Sequence, residues 1–294
     1  MANLKEVRNR IASVTSTQQI TKAMKMVAAA KLKRATSAIV QLRPYANKLR
    51  DILANVSSSV EGITSPYTVE RSANHILVVV VTSNRGLAGA FNANAIKAAT
   101  QLIQTKYAEQ HAAGRVKIVA IGKRRQDHFT RKGFEVLGQH NEVFSDLSFE
   151  NVSQITESIM QGFVKGDFDR VELVYNQFKN AAMQILTTEQ LLPLVPPAAD
   201  ENAEEQFADY IIEPSKEAII LELIPKAVKT QLYKAVLDSN ASEHGARMTA
   251  MDKATDNAGE LLKELKLSYN QARQAAITTE LTEIVSGAAA LSAG

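Results

Sequence analysis

LKEVRNRIASVTSTQQITKAMKMVAAA, residues 4–30, is the stretch that decides the fold. Its apolar residues recur at Val7, Ile11, Val14, Ile20, Met24 and Val27, and the pattern runs on through Ile39, Leu42, Leu49, Ile52, Val56 and Val60. The spacing is close to the 3.5 residues of a coiled-coil seam, and no glycine interrupts it. Working outward to the other end of the chain, Ala241, Met248, Leu262, Tyr269 and Ala276 fall seven or fourteen apart. Met251, Ala258, Leu265 and Ala272 fill the companion positions three residues further on. Each terminal helix therefore has its partner in the same chain, and the two must pair antiparallel.

At 1.5 Å per residue the first helix spans roughly 85 Å and the last, from about Lys226 to Leu291, roughly 95 Å. The residues between them suit a body about 40 Å across, so the helices are expected to overhang it by about 50 Å. Pro44 inside the first pattern predicts a local irregularity near Arg43, without ending the helix. Pro225 is expected to open the last one.

Composition narrows the function. The chain of 294 residues is 45% hydrophobic, yet it has no tryptophan and only 5% aromatic residues, which suits close helix packing better than a deep ligand pocket. With no cysteine, disulfides and thiolate metal sites are excluded, and a reducing compartment is expected. His75, His111, His128, His140 and His244 lack metal-ligand spacing. Residues 1–12 alternate charged and apolar positions, unlike a secretory signal, and the longest apolar runs, such as Ile76 to Val81, fall far short of a membrane span. The net charge of +3 hides an asymmetry: residues 1–60 are basic, with Glu6 and Asp51 their only acids, while the last helix is mildly acidic. That face reads either as solvated and partly paired across the seam, as a surface for an acidic partner, or as a nucleic-acid arm. The scarcity of aromatics before Tyr67 speaks against the last.

The middle of the chain alternates strand and helix patterns. Ile76 to Thr82 and Val116 to Ile121 read as buried strands, Phe134 to Leu137 as a short one, and Arg170 to Phe178 and Met183 to Pro193 as two more. Helical segments are expected at Asn92–His111 and Phe149–Val164, giving an α/β body with crossover helices. The turn from Ser83 to Gly89 is where a phosphate would sit, but Gly86 and Gly89 are spaced G-x-x-G and match neither nucleotide fingerprint. Gly122-Lys123-Arg124-Arg125 follows a strand but lacks an upstream glycine and a magnesium-binding hydroxyl. A tight turn with helix capping by Ser83 or Asn84 is the expected use of the first loop. No catalytic constellation with motif spacing stands out, and Glu280 with Glu283 read as contacts rather than an acid pair. Residues 197–209 form an acidic loop. The domain division is residues 1–60, a coiled-coil helix; 61–213, the α/β body; and 214–294, the second coiled-coil helix.

Four separated blocks of sequence carry a resemblance. They are Arg10 to Lys31, Thr82 to Gly89, Ser242 to Asn257 and Tyr269 to Gly287, and each closely resembles the gamma subunits of F-type ATP synthases of bacterial type. The resemblance covers essentially the whole chain. It implies a non-catalytic rotor, a coiled coil of N- and C-terminal helices with a Rossmann-like α/β body, that couples proton-driven rotation of a membrane c-ring to ATP synthesis or hydrolysis. The partners it implies are a hexameric ring of alpha and beta subunits, the epsilon subunit and the c-ring, with one copy per complex and no nucleic acid. Nucleotide would bind to alpha and beta, so no cofactor or metal is expected on this chain. The implied location is peripheral, on the cytoplasmic face of the bacterial plasma membrane, reached only through partners.

Residue roles follow the matching motifs. Met24 stands where the family has a neck methionine whose replacement by a basic residue impairs coupling. Arg247, Arg273 and Gln274 match positions that contact a loop of the catalytic subunits, and Thr278, Glu280 and Glu283 lie on the family's signature segment. Ala88 replaces a cysteine that many relatives carry, and the cysteine-bearing insert of chloroplast relatives is absent. No transit peptide precedes Met1, which favours a bacterial origin. Two other readings of the residues remain open at this point: an α/β enzyme with coiled-coil arms, and a nucleic-acid-binding or chaperone-like helical arm.

Overall fold

A computed structural model describes residues 4–58, 65–123, 126–195 and 215–292. The expected acidic loop at 197–209, the seam position Val60, and Arg124 with Arg125 lie outside them. The elements in order are α1 (Leu4–Ser58), β1 (Ile76–Val81), α2 (Phe91–Lys106), α3 (Ala108–Ala112), β2 (Val116–Ile121), α4 (Gln126–Arg131), β3 (Glu135–Gln139), a 3-10 turn (Glu142–Phe144), α5 (Phe149–Lys165), β4 (Arg170–Phe178), β5 (Gln184–Leu192) and α6 (Lys216–Ser292). They form two compact units, Met1–Ala28 with Met248–Gly294, and Ala29–Arg247.

In the larger unit the five strands stand in the order β3-β2-β1-β4-β5. The first four run parallel and β5 returns antiparallel along β4. Every residue of β1 is buried, as a central strand covered on both faces requires. Leu77, Val79 and Val81 face a core completed by α5 and by Val228, Leu232 and Val236 of α6. Ile76, Val78 and Val80 face the opposite core, built with Ala95, Ala99 and Ile103 of α2. The alternation of side chains along β1 thus assigns each residue to one of two layers.

Local chemistry explains where elements stop. The expected helix at 92–111 divides into α2 and α3 at Tyr107, whose backbone leaves helical geometry at φ −125°. The Tyr107 side chain turns inward, where its hydroxyl donates to buried Glu172. α5 begins at Ser148, whose hydroxyl accepts from the Asn151 amide, and ends at Gly166 in the left-handed region at φ 86°. β3 starts one residue later than expected because Phe134 packs instead against His111 and Phe129.

The long helices differ from expectation in two respects. Pro225 does not open α6: the helix starts at Lys216 and passes through it, as α1 passes through Pro44. A proline inside a helix costs about 3 kcal/mol. Ile220 and Ile224 pack with Leu49 and Leu53 of α1, and burial of each such side chain returns about 2 kcal/mol. Further along, Ala35 and Ile39 cluster with Leu237 and Ala241, the antiparallel order the sequence called for.

In the smaller unit Arg8 Nη2 donates to the Tyr269 hydroxyl at 3.0 Å, Thr21 bonds Thr255 through their hydroxyls at 2.8 Å, and Lys25 pairs with Asp252. The second difference is the seam itself, because Ile20 and Val27 are 59% and 57% exposed while Thr21 and Ala28 are buried in their place. Small side chains let the two backbones approach. At Gly259 a Cβ would stand only 3.0 Å from Gln18 Nε2, which donates to the Thr255 carbonyl across the pair.

Candidate coupling surface

The residues singled out from sequence fall into two environments. Met24 is half-buried in the smaller unit, one turn from both Thr21 and Ala28. Arg273, Gln274, Thr278, Glu280 and Glu283 are all exposed on α6 in the same unit. The Thr278 hydroxyl is directed back to the Gln274 carbonyl at 2.9 Å. Among the described residues, Arg273, Glu280 and Glu283 form no salt bridge within 4.0 Å. Around them Ile277, Leu281, Ile284, Val285 and Leu291 are exposed as well. This end of α6 therefore presents apolar side chains interleaved with charges that are unpaired among the described residues.

Arg247 belongs to the larger unit and is only 7% exposed. Its Nη1 donates to Glu243 Oε1 at 2.6 Å, one turn earlier, and its Nη2 donates to the carbonyls of Arg85 and Gly86 at 3.2 and 3.1 Å. The planar guanidinium thus ties α6 to the loop of residues 83–89. Burial pushes the Glu243 carboxyl up, while the Arg247 charge holds it down. His244, beside the same guanidinium, is pushed down to about 4 by burial first and by Arg247 and Lys31 next.

The loop that a phosphate would need is closed on itself. The Ser83 amide donates to Asn92 Oδ1 at 2.9 Å, and Asn92 Nδ2 donates back to Ser83 Oγ at 2.8 Å. Asn84 Nδ2 reaches the Asn141 carbonyl at 2.7 Å, and the Lys123 amide donates to Asn84 Oδ1 at 3.0 Å. Neither Ser83 nor Asn84 caps α2 as expected; they lock the loop to its neighbours instead, and the cap position Ala90 has no side-chain bond. Leu87, at φ 62° and 65% exposed, is held outward at the tip. Gly122, at φ 113°, allows the adjacent crossing, since a Cβ there would lie 2.3 Å from the Thr82 carbonyl oxygen.

Sequence reading missed the burial of three acids, Glu172, Asp238 and Glu243. Glu243 and Arg247 stand four apart on a helix, a spacing that signals a pair. Asp238, 2% exposed with Oδ1 lacking a hydrogen-bond partner, carries no sequence signal at all. Among the described residues no cluster of His, Asp and Glu is placed to hold a metal, and no helix is long and apolar enough to cross a membrane.

Two long antiparallel terminal helices and a mainly parallel five-stranded sheet define the class of an α/β protein with helical arms. Comparison with known proteins gives the family: the ATP synthase family model matches residues 3–291. The ATP synthase gamma chain of Cytophaga hutchinsonii is 55% identical over 295 residues, and that of Flavobacterium johnsoniae 56% over 293, each alignment spanning 99% of both chains. The rotor of the Euglena gracilis mitochondrial ATP synthase shares the fold, with a TM-score of 0.65 over 93% of this chain and 98% of that one at 22% identity. The chain belongs to the ATP synthase gamma chain family.

Proposed function

We infer that this chain is the central-stalk rotor of an ATP synthase, a non-catalytic subunit that transmits torque between a proton-driven c-ring and a ring of three alpha and three beta subunits. The observation that carries the reading is the exposed end of α6, where Leu281, Ile284 and Val285 stand beside Arg273, Glu280 and Glu283, which form no salt bridge among the described residues. An apolar surface of this kind marks an interaction site. In the same reading epsilon and the c-ring bind the α/β body, residues 61–213, while residues 1–60 and 214–294 supply the shaft. One copy serves each complex, at the cytoplasmic face of the bacterial plasma membrane.

The mechanism rests on symmetry mismatch. A single asymmetric shaft presents a different face to each of three identical catalytic subunits, so their open and closed states are weighted differently. Rotation carries those weights around the ring. Driving one site from 1:99 to 99:1 requires about 5.5 kcal/mol of differential contact energy. By linkage the nucleotide state pushes back on the shaft angle, which lets hydrolysis run the rotor in reverse.

Arg273 and Gln274 are assigned to hold a loop of the catalytic subunits, since an arginine offers a directional, breakable pair of bonds to carboxylate. Thr278, Glu280 and Glu283 extend that surface, and Met24 acts at the neck. Arg247 contributes by holding the loop of residues 83–89 in place for its partner. An enzyme with helical arms is disfavoured because the Ser83 and Lys123 amides, one in each glycine-bearing loop that could face a phosphate, are already bonded internally.

Mixing the chain with purified alpha and beta subunits, with size-exclusion chromatography and an ATPase assay, tests the assignment. One copy per three alpha-beta pairs and turnover only in the mixture are expected. Turnover by the chain alone, or failure to enter the ring, overturns it.

A further inference from the structure

Within the larger unit, α1, α6 and the chain leaving β5 border a partly open cavity of about 310 Å³. Leu49 and Leu53 of α1, Leu194 and Val195 after β5, and Ile224 and Ala227 of α6 give it apolar walls. Asn47, Arg50, Glu189 and Lys234 stand among them. A narrower recess of about 20 Å³ shares Ala46, Asn47 and Lys234 with this cavity and is bordered by Arg43 and Asp238. The larger space lies at the lower end of small-molecule sites, and the recess admits a single small group.

Three features choose the ligand. Arg43, Arg50 and Lys234 outnumber Glu189 and Asp238 around the two spaces. The Glu189 carboxylate is already engaged by the Tyr175 hydroxyl, whereas Arg43 and Lys234 form no salt bridge within 4.0 Å among the described residues. The recess ends on Asp238, nine-tenths buried and more, whose Oδ1 lacks a partner, an arrangement native proteins rarely leave unsatisfied.

We propose that this cavity binds a small amphipathic anion, a carboxylate or phosphate bearing a medium-length apolar body, with its head at Lys234 and Asn47 and its body between Leu53, Leu194 and Ile224. Protonated Asp238 donates its O–H to the head, so binding takes up a proton. Burial already raises the Asp238 carboxyl to about 6. Lys234 on α6, Arg43 on α1 and the Phe178 amide of β4 oppose that rise, and Glu189 on β5 adds to it. The site is independent of the rotor assignment, because it lies between elements of one unit and uses none of the coupling residues.

The test is fluorescence titration of the full chain with 1-anilinonaphthalene-8-sulfonate, followed by displacement with decanoate and decyl phosphate. Saturable binding that either competitor displaces is expected, and the stronger competitor identifies the head group. Ala227→Trp, which fills the cavity, should weaken it about tenfold or more, and Lys234→Gln about fivefold. Between about pH 8 and pH 6 the affinity should rise in the wild type and stay level in Asp238→Asn. Circular dichroism verifies folding, and Lys234→Gln alone decides the matter where Ala227→Trp misfolds. Absent saturable binding, or equal affinity in the wild type and the folded variants, overturns the site; a pH response retained in Asp238→Asn overturns the proton coupling.

Discussion

Arg247 Nη1 and Glu243 Oε1 lie 2.6 Å apart on one turn of α6, both side chains 9% exposed, and the same guanidinium holds the carbonyls of Arg85 and Gly86. The pair thus links a helix to a loop through a charge that water barely reaches. Breaking a buried pair by removing one partner costs about 3 to 5 kcal/mol, because the remaining charge is left without compensation. Arg247→Ala is expected to lose stability of this order in chemical denaturation and to expose the chain near Arg85 to trypsin. Glu243→Gln with Arg247→Met, which removes both charges and keeps the volume, should restore most of the stability while leaving the loop sensitive to cleavage. Equal stability of Arg247→Ala and wild type would refute the tie.

Asp238 makes stability depend on pH in an unusual direction. Its carboxyl titrates at about 6 in the fold against 3.8 for the unconstrained group. The folded chain therefore binds the proton more tightly, and ionising Asp238 destabilises the fold progressively as pH rises from about 4 through 6. The penalty is fully present above that window, and a roughly hundredfold tighter hold on the proton corresponds to about 3 kcal/mol. Asp238→Asn should be more stable than wild type near neutral pH, and denaturation curves should converge as the pH approaches 4.

His244 works the other way in an overlapping window. It titrates at about 4 in the fold against 6.5 for the unconstrained imidazole, so its neutral form is favoured by the fold and stability is lost as pH falls from about 6.5 through 4. Allowing for its partial exposure, the contribution is about 2 kcal/mol. His244→Gln should flatten the acid limb of a stability profile, and combined with Asp238→Asn should leave the raised Glu243 carboxyl as the remaining source of pH dependence in this part of α6.

At the exposed end of α6, Arg273→Ala with Gln274→Ala should leave the circular dichroism of the chain unchanged, since neither side chain is buried. In the assembled complex, losing a charge-assisted bond worth about 1.5 kcal/mol should slow ATP hydrolysis roughly tenfold. Unchanged turnover would remove these positions from the coupling surface.

Met24→Lys places an ammonium beside Lys25, which is already paired with Asp252. The chain should still assemble, and proton pumping per ATP hydrolysed should fall because the new charge gains partners that resist rotation. Normal pumping in membrane vesicles would exclude Met24 from the neck.

Periodicity carried much of the fold. The seam residues Val7, Ile39 and Leu49 of α1 and Ala241, Met251, Ala258 and Leu262 of α6, and the unbroken apolar run of β1, each report a local spacing that burial then imposes, whereas Ile20 and Val27 stay exposed. The charged and polar candidates at 273–283 came from motif resemblance, and the structure adds that they are exposed on α6. Other features arise only when distant segments meet. Pro225 stays inside α6 because Ile220 and Ile224 find Leu49 and Leu53 more than 160 residues away in sequence. Tyr107 ends α2 because Glu172 waits on β4, and Arg247 is buried because the loop carbonyls of Arg85 and Gly86 close over it. The sequence by itself therefore determined the five strands, most of the helices though neither α4 nor the start of α6, and that the chain ends pair. Only the tertiary structure decided which charges are buried, since desolvation depends on neighbours that no local pattern names.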